Sequence, residues 1–159
     1  GVMPSGAFSS TPNIWEKAFG DNPLIHTSTF GGNPLACAAG IATLQVLQEE
    51  NLPARAGERG EQLLKGLNTV RLKHPDIVTQ VRGKGLMVGV EFAVEDVAKL
   101  VIAGMTRRGV IAAYTLNNPR VIRFEPPLIV SAEQIDTAVS VFADSVEESV
   151  TGLKSLGLL

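Results

Sequence analysis

Hydrophobic residues recur at steps of three and four along much of the chain, the spacing that places apolar side chains on one face of an α-helix. Three such stretches predict helices, at residues 54–72, 95–108 and 131–153. The last has the clearest start, because Ser131 and Gln134 form a capping box. The second is followed by Gly109, a residue type that commonly ends helices.

A fourth helix is predicted over residues 35–47, but its composition differs from that of the others. Pro34 suits a first helical turn, and Asn33 can cap it. Alanine or glycine occupies five positions of this helix. Small side chains allow close backbone approach, so the helix is expected to pack tightly against another element.

Short apolar runs bounded by turn residues predict four strands, at residues 77–81, 86–92, 110–114 and 121–124. The first two form a bent pair or hairpin around Gly83-Lys84-Gly85, and the second is apolar on both faces, which predicts a central position. The last two flank a turn at Asn117-Asn118-Pro119. This order of elements predicts an α/β fold (α+β-like), with a small, mostly antiparallel sheet and helices on one face.

Composition and charge exclude several classes of protein. The chain has 159 residues, 45% of them hydrophobic, enough to bury a core. Its 14 Lys+Arg balance 16 Asp+Glu without a basic stripe, which argues against nucleic-acid binding. No apolar stretch is long enough to predict a membrane span. One cysteine and two histidines provide neither an internal disulfide nor a zinc cluster, which favours a reducing, cytoplasmic setting.

The composition changes once, near Asn51-Leu52-Pro53, and this change predicts a domain boundary. Loop-forming residues are dense before residue 35, whereas helices and strands alternate after the boundary. The chain starts at Gly1 without Met and without the apolar run of a signal peptide. We therefore expect a segment cut from a longer protein, with residues 1–50 and 51–159 as its two parts.

Residues 26–34 combine hydroxyl groups with adjacent glycines directly before a predicted helix. Ser28 and Thr29 offer hydroxyl donors, Gly31 and Gly32 can free backbone N–H groups, and the positive end of the helix attracts anions. A phosphate group would suit such a loop. The same residues also fit an ordinary helix-capping turn without a ligand, and both interpretations stay open at this stage.

Arg123 is a second candidate, because it lies in an apolar strand that ends at Pro126-Pro127. Its planar guanidinium group is best matched by a carboxylate. Glu125 projects from the same face of the strand and can supply that carboxylate, or a bound substrate can. Arg82 and Lys84 alternate with glycines and are instead expected to lie in a solvated turn.

No other side chain is expected to act as a catalytic nucleophile or base. Cys37 lies in the helix of small residues, and no histidine lies beside it to activate the thiol. We therefore expect Cys37 to be buried and to act as a small hydrophobic residue. His74 is expected to interact with the negative end of the helix dipole. The lysines lie on polar or turn positions, where burial would not activate one as a Schiff-base nucleophile.

Four segments taken together resemble the C-terminal portion of class III, fold type I, pyridoxal-phosphate-dependent aminotransferases. They are Gly1-Val2-Met3-Pro4-Ser5-Gly6-Ala7, His26-Thr27-Ser28-Thr29-Phe30-Gly31-Gly32-Asn33-Pro34-Leu35-Ala36, Arg82-Gly83-Lys84-Gly85-Leu86 and Arg123-Phe124-Glu125-Pro126-Pro127-Leu128. The combined series is specific, and it spans nearly the whole chain. The similarity is greatest to the ornithine, acetylornithine and putrescine group, and Thr115-Leu116-Asn117-Asn118 favours its putrescine branch.

The resemblance implies the tail of a cofactor-binding large domain plus a connecting helix in residues 1–50, and a complete small C-terminal domain in residues 51–159. It places the Schiff-base lysine upstream of the chain, which therefore holds no catalytic residue and is expected to be inactive alone. Thr29 corresponds to the threonine whose hydroxyl reaches the pyridoxal 5'-phosphate of the neighbouring subunit, with Ser28 supplying a backbone donor. Arg123 corresponds to the arginine that binds a substrate carboxylate.

The implied reaction moves an amino group from a diamine or ω-amino acid to a 2-oxo acid such as 2-oxoglutarate. The parent enzyme would be a homodimer with small-molecule substrates and no nucleic-acid or membrane partner. Because a diamine carries no carboxylate, Arg123 would serve the 2-oxoglutarate and glutamate half of the reaction. The alternative function is a stand-alone, non-catalytic binding or dimerisation module derived from such an enzyme.

Overall fold

A computed structural model describes residues 3–157 of the chain. Within that range the chain forms five helices and four strands, which separate into two units between Asn51 and Leu52. The division falls where the composition of the sequence changes. That these units are the tail of a large domain and a small domain stays a prediction.

The first unit contains helix α1, Pro12–Phe19, and helix α2, Pro34–Glu49. The predicted cap of α2 is confirmed, because the Asn33 side chain accepts a hydrogen bond from the backbone N–H of Ala36 at 2.9 Å. Helix α1 was not predicted. It is short, its N-cap Thr11 makes no side-chain capping bond, and it lies among prolines and glycines that obscure its pattern.

The expectation that α2 packs tightly through its small residues is wrong for the first unit. Among the described residues of α2 only Ala36 is buried, whereas Leu35, Ile41 and Leu44 are exposed. Cys37 is exposed too, so it is not the buried hydrophobe that was predicted. The reason is that the described part of this unit packs no other helix or strand against α2.

The second unit contains the sheet and the remaining helices. Its elements are α3 (Leu52–Lys73), β1 (Val78–Lys84), β2 (Met87–Phe92), α4 (Glu95–Arg107), β3 (Ala113–Thr115), β4 (Asn118–Phe124) and α5 (Ala132–Ser155). The strand order is β1-β2-β4-β3, and every neighbouring pair is antiparallel. The predicted α/β class, with an antiparallel sheet and a central β2, is confirmed.

The core lies between one face of the sheet and the helices. Strand β2 contributes Val88, Val90 and Phe92, all fully buried. The ring of Phe142, from α5, packs edge-on against Phe92 and Phe124, with centroid distances of 6.2 and 5.6 Å. The helices therefore cover the face of β2 that carries these residues.

The opposite face of β2 carries Met87, Gly89 and Glu91, which alternate with the buried positions. Met87 is 64% exposed. The expectation that β2 is covered on both faces is therefore wrong, although its central place in the sheet is right. An antiparallel sheet that packs helices on one face can leave the other to solvent.

Three predicted boundaries need correction. Strand β1 continues through Gly83 to Lys84, so Arg82 lies in a strand, opposite Gly89, and not in a turn. Strand β3 starts at Ala113, three residues later than predicted. The turn between β3 and β4 also moves, because Thr115 pairs with Asn118 and places Pro119 inside β4. Proline is tolerated close to the start of a strand.

The signals predicted for the C-terminal end of α4 and the N-terminal end of α5 are present in the structure. Gly109 follows α4 with a φ of 81°, a conformation that glycine adopts without strain. Both bonds of the α5 capping box are present, from the Gln134 N–H to Ser131 Oγ at 3.2 Å and from the Ser131 N–H to Gln134 Oε1 at 2.9 Å.

Across residues 3–157, no helix is both long and apolar enough to cross a membrane.

Candidate functional site

The predicted anion loop of the first unit is a pair of turns that ends in the α2 cap. The Gly31 N–H donates to the Ser28 carbonyl at 3.2 Å, and the Asn33 N–H donates to the Phe30 carbonyl at 3.2 Å. The Asn33 side chain also donates to Phe30 O at 2.9 Å. Gly32 permits this path with a φ of 72°. The helix-capping arrangement is therefore present in the structure.

This geometry changes which groups could bind an anion. From the sequence, the Gly31 N–H was expected to be free for a ligand. It is not free, because it closes a turn by donating to the Ser28 carbonyl. Ser28 and Thr29 are both exposed, and within residues 3–157 no hydrogen bond involves either hydroxyl. An anion at this loop would therefore bind side-chain hydroxyl groups more readily than the first turn of α2, where Asn33 already caps Ala36.

In the second unit, Arg123 lies near the end of β4 on the sheet face opposite the core. Its Nε lies 3.0 Å from Oε2 of Glu125, so the internal pair that the sequence allowed is formed. Both side chains are nearly half exposed, at 49% and 43%. Solvent-exposed ion pairs typically contribute about 0–1 kcal/mol to stability, so the pair is not a strong structural constraint.

The pair lines a groove of about 770 Å³ beside the N-terminal part of α5. The apolar groups of this groove come from the segment after α4, the segment after β4 and α5; they include Val110, Ile111, Pro126, Ile129 and Ala138. Ile111 is 88% exposed and Ile129 is 62% exposed. A charged pair within an apolar concave surface is typical of sites that bind small molecules.

A second set of charges lies on the same open face of the sheet. Glu91 accepts a hydrogen bond from Arg82 Nη1 at 2.7 Å and from Arg120 Nη2 at 3.4 Å. The Glu91 side chain is only 19% exposed. This network connects β1, β2 and β4 and holds Arg82, which has no assigned role in binding.

Sequence reasoning missed the Glu91 network, because its members are far apart along the chain. The alternation of Gln80, Arg82 and Lys84 in β1 was a usable signal, since period-two polarity predicts a strand face. The glycines on either side of Lys84 concealed it by suggesting a turn.

An aromatic cluster in the first unit was missed as well. Phe8 stacks on Trp15 at a centroid distance of 5.4 Å, and His26 approaches Phe8 edge-on at 5.1 Å. Phe19 lies 5.0 Å from Trp15. These rings line a pocket of about 320 Å³.

Within residues 3–157, no three His, Cys, Asp or Glu side chains are grouped so that they could hold a metal ion.

Comparison with known proteins identifies the family. The family model for class-III aminotransferases matches residues 1–146. An ornithine aminotransferase from Toxoplasma gondii is 33% identical, with a TM-score of 0.73 over 83% of this chain and 31% of its own. An acetylornithine aminotransferase from Elizabethkingia anophelis is 34% identical, with a TM-score of 0.69 over 77% of this chain and 32% of its own.

A lysine aminotransferase from M. tuberculosis is 28% identical, with a TM-score of 0.73 over 80% of this chain and 29% of its own. The chain thus spans about a third of the length of the solved structures that it matches. The fold and the sequence agree, and the match extends across both units. This chain belongs to the class-III aminotransferase family.

Proposed function

We propose that the chain is the C-terminal part of an aminotransferase that moves an amino group from a diamine or ω-amino acid to a 2-oxo acid such as 2-oxoglutarate. In this proposal, residues 1–50 are the tail of the large domain with its connecting helix, and residues 51–159 are the small domain. The parent enzyme is a cytoplasmic homodimer. The observation that carries the proposal is the Arg123–Glu125 pair in an apolar groove of a class-III aminotransferase chain.

Arg123 is proposed to bind the carboxylate of the 2-oxo acid. Its shortest contact with Glu125 is made through Nε, and among the described residues no ion pair of Arg123 with another acidic residue is found. The terminal nitrogens can therefore form the two parallel hydrogen bonds that a carboxylate accepts. A half-exposed arginine can also change partner at low cost.

Class-III aminotransferases use pyridoxal 5'-phosphate, and the Toxoplasma gondii structure is described with partial occupancy of this cofactor. The cofactor supplies an electron sink when bound. Thr29 and Ser28 fit its phosphate group by donor chemistry, since both are exposed and their hydroxyls have no other partner in residues 3–157. We assign Thr29 to the phosphate of the neighbouring subunit, and we place the Schiff-base lysine upstream of residue 1.

The test is an amino-transfer assay on the purified full-length parent enzyme with bound cofactor. Putrescine, ornithine and acetylornithine are offered as donors with 2-oxoglutarate, and glutamate is quantified. We expect glutamate from at least one donor, and none from the 159-residue chain alone. A parent protein that dimerises but forms no glutamate would support the non-catalytic module instead.

A further inference from the structure

The aromatic pocket of the first unit has no part in the proposed function. Four rings, one carboxylate and two small residues line it: Phe8, Trp15, Glu16, Phe19, Gly20, Pro23 and His26. None of these residues lines the groove that contains Arg123. The volume of about 320 Å³ lies at the lower end of the range for small-molecule sites, roughly 300–1,000 Å³. The pocket is therefore a second candidate site, with a chemistry of its own.

The rings of this pocket stand at different angles to one another. The planes of Phe8 and Trp15 meet at 25°, those of Trp15 and Phe19 at 53°, and those of Phe8 and His26 at 71°. Rings at several inclinations can enclose a space, whereas rings in one parallel stack cannot. The face of an aromatic ring attracts a cation that lies within about 6 Å of the ring centroid. A cation in this space is thus attracted by more than one ring.

Glu16 adds a full negative charge to the wall of the pocket. A Cβ atom at Gly20 would lie 2.5 Å from Oε1 of Glu16, so the carboxylate occupies the room that a side chain at Gly20 would fill. Within residues 3–157, no ion pair of Glu16 with a basic residue is found. Its charge is therefore available to a bound cation.

The number of hydrogen-bond acceptors selects the type of cation. A primary ammonium group has three N–H donors and is strongly hydrated, so it needs several acceptors when it leaves water. Among the side chains that line the pocket, only those of Glu16 and His26 can accept a hydrogen bond. A quaternary ammonium group has no N–H donor, and its methyl groups can contact the rings directly. The pocket therefore favours a quaternary nitrogen.

We propose that this pocket binds the quaternary ammonium group of a small organic molecule, held by the rings of Phe8, Trp15 and Phe19 and by the charge of Glu16. Aromatic surroundings of this kind are a common means of recognising such groups. A quaternary nitrogen has neither a lone pair nor an N–H group, so the ligand is not an amino donor. The inference therefore does not depend on the proposed function, and a failed transfer assay leaves it intact.

The test uses the fluorescence of Trp15, the one tryptophan among the 159 residues of the chain. The purified chain is titrated with choline and with 3,3-dimethyl-1-butanol, which has the same shape but no charge. We expect the Kd of choline to be lower than that of the neutral alcohol by roughly fivefold or more. Ethanolamine, the primary-amine counterpart of choline, should bind more weakly than choline.

Two substitutions separate the contributions to binding. Glu16→Gln should raise the Kd of choline by roughly twofold to fivefold, as for an exposed ion pair, and leave the Kd of the neutral alcohol unchanged. Phe19→Leu keeps an apolar wall but removes one ring, so it should reduce the preference for choline over the alcohol. Glu61→Gln is the matched control, because Glu61 is exposed on α3, outside the pocket, and the substitution removes the same charge.

Three results would overturn the inference. Equal Kd values for choline and the neutral alcohol would show that the pocket is only an apolar surface. Binding of ethanolamine at least as tight as that of choline would show that the rings do not select a quaternary nitrogen. Equal effects of Glu16→Gln and Glu61→Gln would show that the charge of Glu16 has no local role. A fluorescence signal that changes with no ligand would likewise exclude the site.

Discussion

Arg123 has two possible roles, as a substrate-binding residue or as a structural partner of Glu125, and each role predicts a different effect of its substitution. Arg123→Lys keeps the charge but loses the planar fork, so the KM of the parent enzyme for 2-oxoglutarate should rise roughly tenfold or more. Cofactor affinity should be unchanged, since this residue is assigned to substrate. Steady-state kinetics and a cofactor titration measure both quantities. Unaltered kinetics with reduced thermal stability would show that the pair with Glu125 is only structural.

Thr29 is assigned to the cofactor, so its substitution should act on a different quantity. Thr29→Ala removes a hydroxyl donor, and the cofactor Kd of the parent enzyme should rise roughly tenfold or more, as for a lost hydrogen bond to a charged group. Thr29→Ser should restore most of the affinity. Thr27→Ala, which removes another exposed hydroxyl from the same loop, is the control. Equal losses in Thr27→Ala and Thr29→Ala would contradict the assignment.

Gly60 is required by packing and not by backbone conformation. A Cβ atom at this position of α3 would lie 2.2 Å from the carbonyl oxygen of Gly85, in the segment between β1 and β2. Gly60→Ala should therefore lower the free energy of unfolding by about 1–3 kcal/mol or more. Gly57→Ala, on the same helix, meets no atom within 4 Å and should raise it by about 0.5–1 kcal/mol. Urea denaturation compares the two; equal effects would refute the close approach.

At the residue scale, sequence predicts what depends on near neighbours in the chain. The Asn33 cap and the Ser131 capping box were found because their partners lie three residues away. The pair of Arg123 with Glu125 was one of two foreseen alternatives for the same reason. The contacts of Glu91 depend on strand register, and the exposure of Cys37 depends on what covers α2, so neither followed from local sequence.

At the scale of elements, α4 and α5 are connected by a charge cluster that should respond to acid. Glu148 of α5 lies 2.8 Å from Arg107 and 2.8 Å from Arg108. The hydrogen bond from Arg108, with the charges of both arginines, lowers the pKa of Glu148 below its ordinary value of 4.5. Because the pKa is lowered in the folded state, the ionised Glu148 carboxylate stabilises the protein above pH 4.5. This contribution is lost as the pH falls through the lowered pKa.

Glu148→Gln should therefore slightly destabilise the protein at about pH 7 and have no such effect at a pH below the lowered pKa of Glu148, where the carboxylate of the unmodified protein is protonated. The effect is small because the cluster is exposed, and added salt should reduce it further. Thermal denaturation at both pH values measures it, with Glu61→Gln as the control. A loss of stability that is the same at both pH values would contradict the electrostatic explanation.

The elements themselves were predicted where their periodicity was strong. Helices α3, α4 and α5 follow the three- and four-residue spacing, and both ends of β2 were nearly right. Helix α1 spans only eight residues, too few for a reliable pattern. The start of β4 was misplaced because asparagine and proline favour turns, whereas pairing with β3 extends the strand through them.

At the scale of the whole molecule, the two units differ in how much apolar surface each buries by itself. The second unit has a continuous core of buried side chains from α3, α4, α5 and the sheet. The described helices of the first unit bury only Ala36. The change in composition near residue 51 predicted where the two units meet in sequence, but the difference in packing depends on contacts that composition does not encode.

The final prediction is that residues 52–159 fold alone, because their core is formed within the second unit and Leu52 belongs to its buried residues. The isolated segment should unfold cooperatively in urea and heat, with native near-ultraviolet circular dichroism. Phe142→Ala in this segment should cost about 3–5 kcal/mol, since its ring is fully buried between Phe92 and Phe124. A segment covering residues 3–51 should show no such transition. Gradual, non-cooperative unfolding of residues 52–159 would show instead that the second unit needs the rest of the chain to fold.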